Sequence, residues 1–305
     1  MLSKYKLNQL YFKDTQFANL MTRRIFNVLL IANPYDAFML EDDGRIDEKI
    51  FNEYTSLSLR YPPRFSQVST EEEALSQLEN MSFDLVICMP STGDNDSFDI
   101  GRHIKEKYEH IPIVILTPFS HGITKRIINE DLSAFEYVFC WLGNTDLLVS
   151  IIKLIEDKMN LEHDVQEVGV QLILLVEDGI RFYSSILPNL YKFVLKQSQE
   201  FSTEALNAHQ RTLRMRGRPK IKLARTYEEA VAIYNKYPNN MLGIVTDVSF
   251  KRAGEKDKKA GLKFCSYIRE KDEFLPIIIE SSEVENQKDA MFLNACFLDK
   301  NSKKL

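Results

Sequence analysis

QLILLVEDG, residues 171–179, runs five apolar residues, Leu172 to Val176, into two adjacent carboxylates, Glu177 and Asp178, followed at once by a glycine. A short apolar run bounded by charge and glycine has the length of a strand buried on both faces, the kind found in parallel sheets. Adjacent like charges repel unless water, a dipole or a cation compensates them, so the pair after this strand needs a partner. Outward from it, short apolar runs alternate with amphipathic stretches along the chain. NVLLIA (27–32), RFSQV (64–68), FDLVICM (83–89), IPIVILT (111–117) and YVFCW (137–141) form one set of five. QLILLVED (171–178), KIKLA (220–224), MLGIVTD (241–247), LPIIIESS (275–282) and ACFLDK (295–300) form a second. The amphipathic EEEALSQLENM after the second run of the first set has its counterpart in YEEAVAIYNKY after the second run of the other. This alternation predicts an α/β chain of two tandem doubly wound domains, each a five-stranded parallel sheet, repeated at about 130 residues.

The expected boundaries are an N-terminal helical extension over 1–25, a first domain over 26–161, a linker over 162–169 and a second domain over 170–305. LVSIIKLIEDKMNLEHDVQEVG (148–169) reads as the last helix of the first domain turning into a charged connector. With 305 residues, each half is long enough to bury its own core. The composition is that of an ordinary globular chain, 44% hydrophobic and 27% charged, and the net charge of −5 argues against attraction of the whole chain to nucleic acid or an anionic membrane. Lys4, Lys6, Lys13, Asp14, Arg23 and Arg24 interrupt the opening stretch, and no apolar run reaches the ~20 residues that span a bilayer, so the expected location is cytoplasmic. Cys88, Cys140, Cys265 and Cys296 stand singly among apolar neighbours without metal-ligand spacing and read as reduced, buried thiols.

In an open α/β sheet, function gathers at the carboxyl ends of the strands. In the second half this rule collects Glu177 and Asp178, then Asp247, then Ser281 and Ser282, then Lys300. Singly, each has a plain explanation: acids that open a helix, a turn aspartate, a surface lysine. Together they fit a site for a divalent cation and a phosphoryl group. Mg²⁺ prefers oxygen ligands, and a metal-neutralised carboxylate can attack phosphorus while an ammonium and a hydroxyl hold the phosphoryl oxygens.

These residues resemble the receiver domain of bacterial response regulators over about 170–305. LLVEDG looks like the acid pair of that family, VTDVSF like its phospho-acceptor strand, PIIIESS like the strand carrying its switch hydroxyl and FLDKNS like its lysine strand. The resemblance implies a flavodoxin-like fold with strand order 2-1-3-4-5, with Glu177, Asp178 and Asp247 as Mg²⁺ ligands. Asp247 would be the phospho-acceptor, Ser281 the switch hydroxyl, Phe297 the switch aromatic and Lys300 the family's base. It also implies a histidine kinase or a small phosphodonor as partner. Asn301 departs from the family's proline after the lysine.

The first half resembles the same family without its chemistry. Ala32 and Asn33 stand where two acids should be, Met89 at the acceptor, Cys140 at the lysine, and only Thr117 survives, so this half reads as a pseudo-receiver. Asp94 and Asp96 in the loop after Met89 read as solvated turn formers rather than metal ligands.

Two features exceed a minimal receiver. The 41 residues between Asp178 and Lys220 read as a long helix with a kink site at Pro188, ending in the basic cluster Arg211, Arg214, Arg216, Arg218, Lys220 and Lys222. That cluster reads as a solvated helix end or a protein-docking surface ahead of a nucleic-acid site. The basic loop KRAGEKDKKAG (251–261) follows the acceptor and reads either as a cover over the phosphoryl group or as a mobile loop that its lysines keep soluble. The chain ends five residues after Lys300, ahead of any fifth helix, which reads as a fragment of a longer protein.

NPYDAF, EDDGRIDEKIFNEY, RYPPRFSQVSTEEEA, LVEDGIRFYSSILPNLY, LRMRGRPKIKLARTYEEA and FLDKNS also resemble the N-terminal region of bacterial phosphoenolpyruvate synthase or pyruvate phosphate dikinase-like proteins. That resemblance implies a regulatory front end for a C-terminal PEP/pyruvate-binding output, not an enzyme in itself: no glycine-rich phosphate loop and no phosphohistidine motif is present. The rival expectation is a phosphorylation-independent scaffold in which both halves are silent and the long helix mediates docking or a homodimer. A phosphatase or nucleotide hydrolase on this fold ranks last, because fold alone supplies no chemistry.

Overall fold

A computed structural model describes residues 17–41, 44–90, 97–118, 127, 130–201 and 213–301. The chain divides into two compact units. Among the described residues, one comprises Arg23–Glu156 with Leu187–Asn189, and the other comprises the remainder.

In the N-terminal unit, β1 (Asn27–Ile31), β2 (Arg64–Val68), β3 (Leu85–Cys88), β4 (Ile113–Pro118) and β5 (Tyr137–Trp141) form a parallel sheet in the order β2-β1-β3-β4-β5. Its helices are α1 (Pro34–Leu40), α2 (Ile46–Ser56), α3 (Glu71–Asn80), α4 (Ser97–Lys107) and the first part of α5 (Asp146–Val168), which from Asp157 onward belongs to the other unit. Every residue of β3 is buried, as a central strand covered on both faces requires.

The C-terminal unit repeats this plan. β6 (Leu172–Val176) is followed by α6 (Ile180–Phe201), β7 (Lys220–Ala224), α7 (Tyr227–Lys236) and β8 (Met241–Asp247). A two-stranded hairpin, β9 (Phe250–Arg252) and β10 (Glu255–Asp257), leads into α8 (Ala260–Arg269), β11 (Ile277–Ser281), α9 (Asn286–Phe292) and β12 (Cys296–Asp299). The sheet order β12-β11-β8-β6-β7 is, in the unit's own count, 2-1-3-4-5. Both halves are therefore flavodoxin-like doubly wound α/β sheets, the architecture expected from the alternation of runs.

Local chemistry explains the shared plan. Thr70 caps α3 and Thr226 caps α7, each hydroxyl accepting the amide three residues on, from Glu73 and Glu229 at 3.2 Å. Each glutamate in turn accepts an amide just before its cap, Ser69 at 2.8 Å and Arg225 at 2.7 Å, a reciprocal arrangement that satisfies donors the helix itself leaves open. In the C-terminal unit one glycine is dictated by the site. A Cβ on Gly261 would lie 2.0 Å from the carbonyl oxygen of Asp247, so only glycine lets the start of α8 close against the end of β8.

Two expectations about charged segments change. The stretch expected to become a solvated connector remains helical through Val168 and ends at Gly169, whose φ of +68° is a helix stop that glycine adopts without strain. Its acids divide: Glu162 stays exposed, while Glu156, Asp157 and Asp164 are buried. Asp164 is wholly buried, accepts the Met21 amide and pairs with Lys220 at 2.9 Å.

The basic cluster is likewise not an exposed helix end. Lys220 is fully buried, and Arg218 grips both oxygens of buried Asp157 at 2.7 and 3.0 Å, with Tyr191 and the Ile221 amide completing that carboxylate. Buried ions need such partners, and the charges read from sequence as a surface are spent internally. Arg211, Asp94, Asp96, residues 1–16 of the expected extension and the last four residues lie outside the described residues. Pro188 sits inside α6, where the long helix was expected.

Candidate functional site

The carboxyl ends of β6, β8, β11 and β12 bring four charged side chains together. Glu177 leaves β6 with its amide donating to the Ala224 carbonyl at 3.0 Å, which keeps the strand geometry for one more residue and turns its side chain into the sheet's end. It is 1% exposed. One oxygen accepts the Gly179 amide at 2.8 Å and the other meets the Lys300 ammonium. Asp247, the last residue of β8, pairs with the same ammonium at 2.9 Å and accepts the Ser249 amide at 3.2 Å through its other oxygen. Lys300 is placed by its own backbone, whose amide donates to the Ser281 carbonyl at 3.0 Å, and its ammonium also lies 4.2 Å from the centre of the Phe182 ring. Asp178 is held by Lys256 of β10, at 2.9 and 3.1 Å.

One oxygen from each of Glu177, Asp178 and Asp247 falls within a 4.8 Å span, close enough to share one cation. The donor set is all carboxylate oxygen, which fits a hard divalent ion such as Mg²⁺ and not a thiophilic metal. Burial pushes the Glu177 carboxyl above its ordinary pKa, the Asp247 charge adds to this, and Lys300 opposes both. Burial works against the charge on Lys300, yet the two carboxylates outweigh it and its pKa is raised, so the lysine stays an ammonium.

A fourth acid lies beside them. Glu280 is paired with Asp247 in the β8–β11 register and is 2% exposed. Burial, helped by the charges of Glu177 and Asp247 and opposed by Lys300, pushes its carboxyl up to about 7.

Ser281, next along β11, is buried, and its oxygen accepts the Glu283 amide at 3.0 Å and the Asn286 side-chain amide at 2.9 Å. Both bonds use its lone pairs and leave its proton to donate. Phe297 is partly buried and packs against the unit's hydrophobic core. Asn301 ties the end of β12 to its neighbour, its side-chain amide donating to the Ser282 carbonyl at 3.1 Å.

The same strand ends in the N-terminal unit can be matched by register. Ile31 pairs with Cys88, and Val176 with Thr246, so Ala32 and Asn33 stand at the positions of Glu177 and Asp178, and Met89 at that of Asp247. Asn33 caps α1 and exchanges hydrogen bonds with Asp36, and Met89 is buried. One expectation is corrected. Thr117 pairs with Cys140 as Ser281 pairs with Asp299, so the residue one step further, Trp141, and not Cys140, occupies the place of Lys300. Cys140 is instead a buried strand residue, and Thr117 donates to the Pro118 carbonyl at 2.9 Å.

Sequence reasoning did not single out Lys256, Glu280 or Asn286. For Lys256 a signal was present. Ala253 and Gly254, at the centre of KRAGEK, take φ of +51° and +83°, the two-residue turn that joins tight hairpin strands, and the hairpin carries the lysine back toward Asp178. Glu280 reads from sequence as one more strand-end polar residue, and nothing nearby marks it as buried.

No family model and no curated protein matches the chain. Among solved structures, a signal receiver domain assigned to a LuxO repressor protein of Vibrio parahaemolyticus is 19% identical, with 47% of this chain and 98% of that one covered and a TM-score of 0.34. A chain from the complex of histidine kinase ThkA with response regulator TrrA is 20% identical over 42% of this chain and 97% of that one, with a TM-score of 0.32. TrrA of Thermotoga maritima in complex with Mg²⁺ and beryllofluoride is 19% identical over 42% and 97%, with a TM-score of 0.31. Among the described residues, no helix is long and apolar enough to cross a membrane.

Proposed function

We propose that the C-terminal unit is a phosphoryl-accepting signal module, with Asp247 as acceptor, and that the N-terminal unit is its non-accepting companion. The observation that carries this reading is the meeting of Glu177, Asp178 and Asp247 within 4.8 Å while Lys300 holds the acceptor oxygen at 2.9 Å. An oxygen of Asp247 attacks phosphorus of a phosphohistidine or small acyl phosphate. The new O–P bond forms as the donor's P–N or P–O bond breaks, and the electron pair leaves with the donor. Mg²⁺, when held by the three acids, supplies the positive charge that permits two anions to approach. Lys300 stays on one phosphoryl oxygen, and the Ser281 hydroxyl, whose lone pairs accept from Glu283 and Asn286, donates its proton to another. The product adds a charge of about −1.5 to −2, and movement of Ser281 with repacking of Phe297 carries the change to an output.

The partner in this reading is a cytoplasmic histidine kinase or a small phosphodonor. The proposed output is a PEP/pyruvate-binding region following the module, a part of the proposal that rests on the quoted sequence strings. Intact-mass analysis after incubation with Mg²⁺ and acetyl phosphate or beryllofluoride tests the acceptor. The expected result is a single adduct, absent from Asp247→Asn. An adduct that persists in the mutant would move the acceptor elsewhere.

One observation favours a second reading, a phosphorylation-independent scaffold. Lys300 and Lys256 already give every one of the three acids an ammonium partner, so the site is electrostatically answered without a metal. Absence of any adduct with both reagents would favour it.

A further inference from the structure

The hairpin β9–β10 is pinned on several sides. Phe250 is wholly buried at its start, the Ala253 amide donates to Glu228 at 2.9 Å, and the Arg252 guanidinium lies 4.9 Å from the centre of the Tyr227 ring. At its other end Asp257 pairs with Lys263 at 2.7 Å and accepts the Lys259 amide at 3.0 Å. A backbone fixed in this way delivers Lys256 to one place. The ammonium bridges both oxygens of Asp178, at 2.9 and 3.1 Å, although the lysine side chain is 55% exposed and has solvent to move into. Asp178 is in turn one of the three carboxylates able to share a cation.

We propose that Lys256 is a built-in rival for the divalent cation at Asp178, an inference that rests on the metal-site reading above. A metal then enters by exchange and not by simple addition: the lysine must release Asp178 and swing into water before that carboxylate can take a second ligand bond. Lys300 cannot play this part, because it is 6% exposed and shared between Glu177 and Asp247. The hairpin lysine thus sets the affinity and the cation threshold of the site. Its single charge weakens the hold on any divalent ion without deciding which one is chosen.

The test is calorimetric titration of the whole chain with Mg²⁺, repeated with Mn²⁺ followed by its electron paramagnetic resonance signal. It compares wild type with Lys256→Gln, Lys256→Glu and Lys256→Arg, with circular dichroism as the check on folding. An exposed ion pair of this kind is worth up to roughly 1 kcal/mol, so Lys256→Gln is expected to bind about three- to fivefold more tightly. Lys256→Glu should bind more tightly still, and Lys256→Arg should stay near wild type. Equal affinity in wild type and Lys256→Gln overturns the rivalry while leaving the metal site standing. Weaker binding in Lys256→Gln also overturns it, and would mean that the lysine props Asp178 for the metal. Absence of binding in every variant, including Lys256→Glu, removes the metal-site reading and the inference together.

Discussion

The two sheets share strand order and cap chemistry, and differ at the ends of their strands. Where the C-terminal unit places Glu177, Asp178, Asp247 and Lys300, the N-terminal unit has Ala32, Asn33, Met89 and Trp141 in register. The first set is a web of charges that compensate one another. In the second, Ala32 and Met89 are buried, Trp141 is half-buried and Asn33 caps a helix. The two sheets keep the same strand order and register with either set, even though Asp247 and Trp141 are themselves paired within their ladders.

Exchanging the residues matched at Asp247 and Met89 should break this comparison most visibly. Met89 is 1% exposed, and Met89→Asp puts a carboxylate at a buried position without the lysine that meets Asp247. An unpaired buried charge costs several kcal/mol or forces the group to stay protonated, so a loss of about 3 kcal/mol or more is expected in denaturant unfolding. No beryllofluoride adduct should appear. The reverse change, Asp247→Met, leaves Lys300 paired with Glu177 and should cost far less. Equal costs for the two would show that the sockets do not differ in polarity as the contacts indicate.

How far this was readable beforehand depends on the kind of information each residue carries. The strands were legible because burial on both faces forces continuous apolar runs, and the acid pair after Val176 was legible because charge beside such a run is conspicuous. Sequence adjacency to strand ends located Glu177, Asp178, Asp247, Ser281 and Lys300, and the structure brings the four charged groups to one place. The lysine-equivalent position in the first half was misplaced by one residue, Cys140 for Trp141, because register within a strand pair is set by hydrogen bonding between strands and not by the run itself. Arg218 and Lys220 looked like surface because their partners, Asp157 and Asp164, are more than 50 residues away in the chain. Long-range pairing of opposite charges leaves no local trace.

A smaller effect sharpens the comparison through pH. Glu280 stands where register gives the N-terminal unit Leu116, and it is buried with its carboxyl raised from 4.5 to about 7. Below the ordinary pKa both folded and unfolded chains hold the proton, and Glu280 costs nothing. Between about pH 4.5 and 7 the folded chain retains a proton that the unfolded chain has released, so stability falls as pH rises. Above about 7 the cost is constant, at most about 3 kcal/mol from a shift of that size. Glu280→Gln should therefore stabilise the protein at pH 8 in metal-free buffer and leave it unchanged at pH 4, as read by urea midpoints. A gain of equal size at both pH values would mean that packing, not ionisation, is responsible.

The smallest expected effect lies in what the units share. Thr70 and Thr226 make the same cap at the same point of the two folds, each accepting an amide at 3.2 Å. Loss of such a cap typically costs about 1 kcal/mol, whatever chemistry lies elsewhere in the domain. Thr70→Ala and Thr226→Ala should therefore speed hydrogen exchange of the Glu73 and Glu229 amides by similar factors, on the order of fivefold each. The two caps lie at the carboxyl ends of β2 and β7, and in the C-terminal unit the capped helix also anchors the hairpin, through Glu228 and the Ala253 amide at 2.9 Å. If Thr226→Ala alone also raises exchange in β9–β10, the cap in the charged unit supports the hairpin as well as the helix, and the shared element has acquired a second duty there. If the two substitutions behave alike and stay local, the caps belong to the common scaffold, and the divergence between the units is confined to the strand ends and the hairpin that returns Lys256 to Asp178.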